Sequence, residues 1–374
     1  MPIPLHCPNR NCANHTDPPR RWKVRFGTYE TAAHGTIQRY RCRRCGKTMG
    51  DQTESLHYYA KRRVPLRAVH ATLLGGTAMR EIAYRYHLSP AAIQNAVLRL
   101  GRQSMAAQVE MSSAIGERRA LVFDGLRSFV TSQDYPCDIT TVVDPIGETI
   151  YTMTYAIFRR GGCMTKAQRR RMARKLQVWK PPKRGMKRAI SLAVRELWEV
   201  LRPADGVRCT IDTDENPLYR QVLSENPEMR HFRTVEKVRH VTTPGSAPRT
   251  MSNRLFAVNY VDRLVRHRIK EHTRETIAIG RNATMQMHRA WIFAWNHNAT
   301  RPWRVRQPEE GVHAVFSDVD QPTVEELNRR FFIRRIECAD RSAPESIRSV
   351  WLGRTPTPPV RYKVGQRGTS VRIP

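Results

Sequence analysis

Nowhere in this chain of 374 residues do apolar side chains run for anything near the roughly 18 positions that a membrane-crossing helix needs. The opening residues, MPIPLHCPNRNC, lack the charged-then-apolar order of an export signal. Acids are scarce beside bases: 33 Asp and Glu face 65 Lys and Arg, giving a formal charge of +32 and a pI near 10.8. These deficits set the first expectations: a soluble, cytoplasmic protein with no membrane partner. Its surface is suited to a polyanion, nucleic acid foremost, because neutralising phosphates releases counterions. Most of the basic residues are Arg, whose planar fork suits bidentate phosphate contacts. The chain has eight cysteines, and in a reducing compartment these argue for metal or inert thiols before disulfides.

Four of the cysteines are paired by spacing. HCPNRNC separates Cys7 from Cys12 by four residues, and YRCRRCGKTM separates Cys42 from Cys45 by two. Two such knuckles can supply four thiolates to a tetrahedral Zn²⁺, a closed structural site with no open catalytic position. His6 and His15 are substitute ligands, and Gly46 permits the tight turn after the second pair. Residues 1–58 are therefore expected to form a zinc ribbon. The intervening Trp22, Phe26, Tyr29 and Tyr40 either fill its small core or stand beside arginines that touch DNA backbone.

Residues 59–114 carry a second pattern, AMREIAYRYHLSPAAIQNAVLRLG. A helix over Ala78–Tyr86 stops at HLS, and another starts with Ser89 as N-cap and Pro90 at its first position. Ile93, Val97 and Leu100 give the second helix a core face. With an upstream helix carrying Leu66, Val69 and Leu73, this reads as a helix-turn-helix DNA-binding domain. Its last helix would enter the major groove, with Gln94 or Asn95 on a base edge and Arg99 on phosphate.

Residues 115–300 read as a mixed sheet carrying acids. RALVFDGL is a central strand ending at Asp124, and DITTVVDPIGETIYTMTYAIF is a hairpin turned by DPIG. A helix over Lys187–Leu201 follows, then a strand through Cys209 and Ile211 ending at Asp212 and Asp214. A short helix, a strand HFRTVEKV and a helix from NYVDRLVRHRIK complete the order. Three antiparallel strands, helix, strand, helix, strand, helix is the element order of an RNase H-like fold. In it, Asp124, Asp214 (or Asp212) and Asp262 can converge at one edge, as two-metal phosphoryl transfer on DNA requires. Hard oxygen ligands suit Mg²⁺, with Mn²⁺ as a stand-in. Asp262, Arg266, Lys270 and Arg274 recur every four positions and share one helical face, so the bases would hold the strand that the acid's metal cuts. Glu271 and Glu275 are fallback candidates for the third acid. Within this domain, 158–188 is a basic insertion, either a solvated linker or a DNA clamp. Trp291 and Trp295 read as core. Residues 301–374 are expected to hold a helix capped by Thr323 and then an extended basic arm.

Taken together, YRCRRCGKT, the helix-turn-helix, VFDGLRSF, TDENPLY and VNYVDRLVRHRIKEHTRETIAIGRN resemble the DDE-type transposases of insertion sequences that carry an N-terminal zinc ribbon and helix-turn-helix. The resemblance spans the chain from CPNRNC to about WNHNATRPWRV. It implies Asp124, Asp214 and Asp262 as catalytic metal ligands, with Tyr219 five residues beyond Asp214 marking the second acid. The family's third acid is usually Glu, and Asp stands here, between Asn259 and Arg266. It further implies metal-dependent cleavage at terminal inverted repeats and strand transfer into target DNA, by a homodimer or higher synaptic assembly. A DNA-binding regulator with an inactive RNase H-like domain is the alternative from another class, and a nuclease without strand transfer is a third.

Overall fold

The computed structural model describes residues 3–115, 120–201, 208–235, 237–273, 278–336, 343–360, 362–364 and 369–371. It is an α+β protein with a mixed five-stranded sheet and an antiparallel three-stranded sheet. The smaller sheet follows a short helix α1 (Ala13–Thr16) and comprises β1 (Lys23–Thr31), β2 (Gly35–Cys42) and β3 (Thr48–Gly50). Trp22, Tyr40 and Met49 close its core around Cys7, Cys12 and Cys42. Phe26 and Tyr29 do not join that core and stay exposed.

Three helices follow: α2 (Leu66–Leu74), α3 (Met79–Arg85) and α4 (Pro90–Ser112). The Ser89 hydroxyl caps α4 by accepting from the Ala92 N–H, with Pro90 at the first position, as the sequence predicts. The helix then continues well past Leu100. Its second half is buried through Gly101, Ser104, Met105, Ala106, Ala107 and Met111, packed along α10 (Ala283–Ala299). Small residues allow that close approach: a Cβ on Gly101 would lie 2.3 Å from His288 Nδ1. One apolar core therefore runs from Val69, Ile82 and Val97 through Trp291 and Trp295 to the face of the large sheet. The helical unit shares this core and has none of its own.

The large sheet has the order β6-β5-β4-β7-β8. β4 (Ala120–Val130), β5 (Ser132–Val143) and β6 (Ile150–Ile157) are antiparallel, while β7 (Cys209–Asp214) and β8 (Val238–Thr243) run parallel to β4. Alternation sends Val122 and Leu126 into the core shared with α4 and α10. Leu121 and Phe123 go to the opposite face, against α6 (Gly185–Leu201) and α7 (Pro217–Glu225). The 158–188 segment is more ordered than a linker. It contains α5 (Lys166–Val178), started by a Thr165–Gln168 capping box. The expected strand HFRTVEKV is instead the end of α8 (Pro227–Thr234), where Asn226 Oδ1 accepts from the Met229 N–H; the strand begins at Val238. The helix of the third acid, α9 (Phe256–Arg268), stops before Lys270, because Ile269 is extended and Lys270–His272 forms a separate 3₁₀ turn.

Toward the end of the chain, α11 (Gln321–Phe331) is capped by Asp320, whose carboxylate accepts from the Thr323 N–H; Thr323 itself is not the cap. Phe331, with Ile347 and Val350 of α12 (Glu345–Trp351), joins the main core. Of the expected arm from Gly353 onward, residues 361, 365–368 and 372–374 lie outside the described residues. β9 (Tyr362–Val364) and β10 (Thr369–Val371) form a short antiparallel pair. No helix among the described residues is long and apolar enough to cross a membrane.

Asn298 is the junction of α10, α4 and β6. Its Nδ2 donates to Gln108 Oε1 at 3.0 Å and to the Ile150 carbonyl at 2.8 Å, and its Oδ1 accepts from the Ile150 N–H at 2.9 Å. Asn298→Leu would strand those buried partners and is expected to lower stability by about 3 kcal/mol in urea denaturation. A loss under about 0.5 kcal/mol would show that the junction is not structural.

Candidate functional site

Two clusters of ligand-type side chains stand out. In the first, Cys7, Cys12, Cys42 and Cys45 bring their sulfurs within 4.8 Å of one another, close enough to hold a zinc ion. Cys7 and Cys45 Sγ are 3.4 Å apart, and Cys12 and Cys42 Sγ 3.9 Å. The second knuckle is shaped for thiolates. Burial pushes Cys42 up, but N–H groups of Cys45 and Arg44 and the Asn14 amide outweigh it and bring the thiol down to about 6. The Lys47 N–H lowers Cys45. Gly46 turns the chain here at φ +71°. The histidines have other engagements: His15 Nδ1 bonds the Cys7 carbonyl, and His6 Nδ1 lies 3.8 Å from Glu54.

The second cluster lies where β4 and β7 part. Their parallel pairing ends at Val122 and Asp212, so Asp124 and Asp214 sit two residues beyond it. β7 ends at Asp214, but β4 does not end at Asp124 as its residues suggested: it runs on, paired with β5, to Val130. α9 packs against β4 and carries Asp262. Burial raises Asp124 to about 6, and Asp214 adds to the shift, against the Gly125 N–H and the positive charge of Arg249. Burial also drives Asp262 well above the usual carboxylate range, with Asp124 pushing the same way and Arg266 opposing. Asp262 Oδ1 is shielded from solvent and has no hydrogen-bond partner among the described residues. The three acids form one electrostatic unit. Their oxygens are more widely spread than the sulfurs, because only the cysteine set among the described residues collects every ligand atom within 4.8 Å.

Asp212 is otherwise occupied. Its Oδ1 accepts from Arg254 at 3.1 Å, and its Oδ2 from Thr210 at 3.3 Å. Asp214 Oδ1 takes the Asn216 N–H at the start of α7. Glu271 is tied by Oε2 to Arg289 at 2.8 Å in a nearly buried pair and faces Cys137 and Tyr155. Glu275 and Arg274 lie outside the described residues. Sequence reasoning missed Asp138, which is buried on β5 and raised to about 6 by desolvation, with Arg127 opposing and Asp124 and Asp214 adding. An acid in the otherwise apolar and β-branched run CDITTVV was the available signal. Arg249, whose charge lowers both Asp124 and Asp262, gave none.

Against family models and curated proteins, the chain matches none.

The expected DNA contacts divide. Gln94 and Asn95 are exposed on α4. Arg99 is turned inward instead, its Nη1 donating to the carbonyls of Leu56 and Tyr58 at 3.0 and 2.7 Å. Arg266 is likewise a strut, donating to the carbonyls of His272 and Arg127. Lys270 is exposed beside Gly76, in the turn between α2 and α3.

Cys42→Ser is expected to abolish zinc retention, read as metal released to a colorimetric chelator; full retention would refute a four-thiolate site. For Asp124, an ordinary value of 3.8 raised to about 6 means the unfolded chain loses its proton first. Its contribution to stability is therefore greatest below about pH 4, falls as pH rises through about 6, and stays lost above that. Asp124→Asn is expected to remove a penalty on the order of 2 kcal/mol at pH 7.5 and to raise Tm there. Mg²⁺ should raise the Tm of the native protein and not that of the variant; equal Mg²⁺ responses would refute ion binding at Asp124.

Proposed function

We propose that this chain is a DNA transposase of the DDE/DDD type, cutting at the ends of its element and joining them to target DNA. The observation that carries this reading is the placement of Asp124, Asp214 and Asp262 where two parallel strands part, with Asp124 raised by burial and by Asp214, and Asp262 raised by burial and by Asp124. The sheet order, with three antiparallel strands followed by two parallel ones, agrees with an RNase H-like domain. The Ser89-capped helix with Gln94 and Asn95 exposed agrees with a helix-turn-helix, and the charge of +32 with a DNA partner.

A divalent cation suits these donors. All are hard oxygens, Asp262 Oδ1 is an orphaned buried acceptor, and three mutually repelling carboxylates favour neutralisation. Their spread beyond 4.8 Å means that a shared ion requires one of them to swing inward. Asp124, Asp214 and Asp262 would hold Mg²⁺ or Mn²⁺, which supplies an activated water and stabilises the leaving oxygen. The chain's own contribution is positioning: Arg249 lies close enough to temper the acids and is exposed to meet a phosphate. The same spread favours one competing reading, a DNA-binding regulator whose acids are inert.

The test uses duplexes carrying the inverted repeats that flank the reading frame, a supercoiled target plasmid and Mg²⁺. Cleaved and joined products are expected from the native chain. Asp124→Asn and Asp214→Asn should each reduce them by more than about 100-fold while leaving duplex binding intact. Binding without cleavage would establish the regulator, and nicking without joining a nuclease.

A further inference from the structure

On the sheet face opposite α9, a cavity of about 920 Å³ opens between the end of β6, the α5–α6 connection and α7. Six cations line it, Arg127, Arg159, Lys180, Lys183, Arg184 and Lys187, against one carboxylate, Glu225. Glu225 is taken by Lys187 Nζ at 2.6 Å. Arg159, Lys180, Lys183 and Arg184 have no ion pair among the described residues, and all four are exposed. Like charges gathered around a concave wall repel one another and focus a positive potential into it, so the arrangement is relieved by an anion.

We propose that this cavity is a channel for a single nucleic-acid strand. Between the cations the lining is apolar, with Phe158, Pro181, Pro182 and Met186 offering surface to an unstacked base. A duplex keeps its bases turned inward and cannot use such a wall. The site is also longer than one nucleotide needs. A second cavity of about 820 Å³ shares Lys183, Arg184 and Lys187 with the first and continues past Arg188 and Arg195. A row of cations along adjoining hollows matches a backbone carrying repeated charge.

The wall is held in place. Asp134, almost fully buried, accepts from Arg171 Nε at 2.8 Å and Lys175 Nζ at 2.7 Å, which fixes α5 to β5. The Tyr135 hydroxyl donates to the Lys175 carbonyl, and its ring packs edge-on against Trp179, just before Lys180. The channel lies beside the strand that carries Asp124. Arg127 lines it from a position three residues beyond Asp124 on the same strand, and its carbonyl accepts from Arg266 of α9. This inference rests on the reading of the chain as a DNA-processing protein.

The test measures fluorescence anisotropy of a labelled 12-nucleotide single strand, and of its duplex, in buffer without Mg²⁺ or Mn²⁺. The full chain is compared with Lys180→Ala/Lys183→Ala and with Arg306→Ala/Arg354→Ala, a pair of exposed arginines elsewhere that removes equal charge. The channel pair should bind the single strand about tenfold more weakly near 0.1 M salt. It should also lower the slope of log K against log salt by about 1.4, for two phosphate contacts. Its duplex affinity, and the control pair's affinity for either probe, should stay within about threefold of native. A channel pair that loses no more than the control, or loses duplex binding equally, overturns the proposal. Because no cleavage is involved, a selective loss in a chain that cuts nothing would keep the channel and reject the transposase. A chain that joins DNA normally with no such loss would do the reverse.

Discussion

The architecture depends on satisfying polar groups along a helix that has no solvent face. Helix α10 is buried on nearly every side yet carries Gln286, Arg289, His297 and Asn298. In such a place an unpaired amide or guanidinium costs more than an apolar residue would contribute. Each finds a partner on a different element: Gln286 the Phe129 carbonyl, Arg289 the Glu271 carboxylate, His297 the Glu148 carbonyl, Asn298 the backbone of Ile150. The sheet, the turn after α9 and the β5–β6 hairpin are thus positioned by one rod, and α4 lies along its length. Among the described residues satisfaction is incomplete at Trp291 Nε1, at His297 Nδ1 and at His288, whose ring nitrogens lack partners and whose burial holds it neutral, down to about 3.

That rod has an electrostatic consequence. With α9 packed against β4 where β4 and β7 part, burial raises Asp124 and Asp262, and Asp214 adds to the shift of Asp124. Natural cores rarely tolerate such crowding without a compensating ligand or proton. Asp138 adds a further buried acid behind the same strand, leaning over Gly125, where even a Cβ would come within 2.6 Å of its carboxylate.

What could be read from the residues follows from how local each signal is. The four thiols lie close in sequence and the spacing of each pair is a near-neighbour property, so the cluster was legible. The Ser89–Pro90 start of α4 and the end of β7 at Asp214 were legible for the same reason, whereas β4 runs past Asp124 to Val130 because its pairing with β5 continues after β7 has left it. The continuation of α4 was not, because Gly101, Gln103 and Ser104 look like a stop until the groove that accepts them is known; Gln103 bonds the carbonyls of Phe331 and Arg334, more than two hundred residues away. Arg99 and Arg266 read as phosphate contacts for want of knowing which carbonyls they would meet. The four-residue stripe from Asp262 assumed a helix that Ile269 ends. Periodicity gives a face, and only packing says what that face touches.

Arg334 and Arg335 grip the segment that follows the thiol cluster. Arg334 ion-pairs with Glu54, while Arg335 donates its N–H to the Glu54 carbonyl and its Nη2 to the Thr53 carbonyl. A segment beside the thiols is therefore seated by residues about 280 positions later in the chain, and docks there only once they have been synthesised. A translation product that stops short of Arg334 would lack this grip on Thr53 and Glu54.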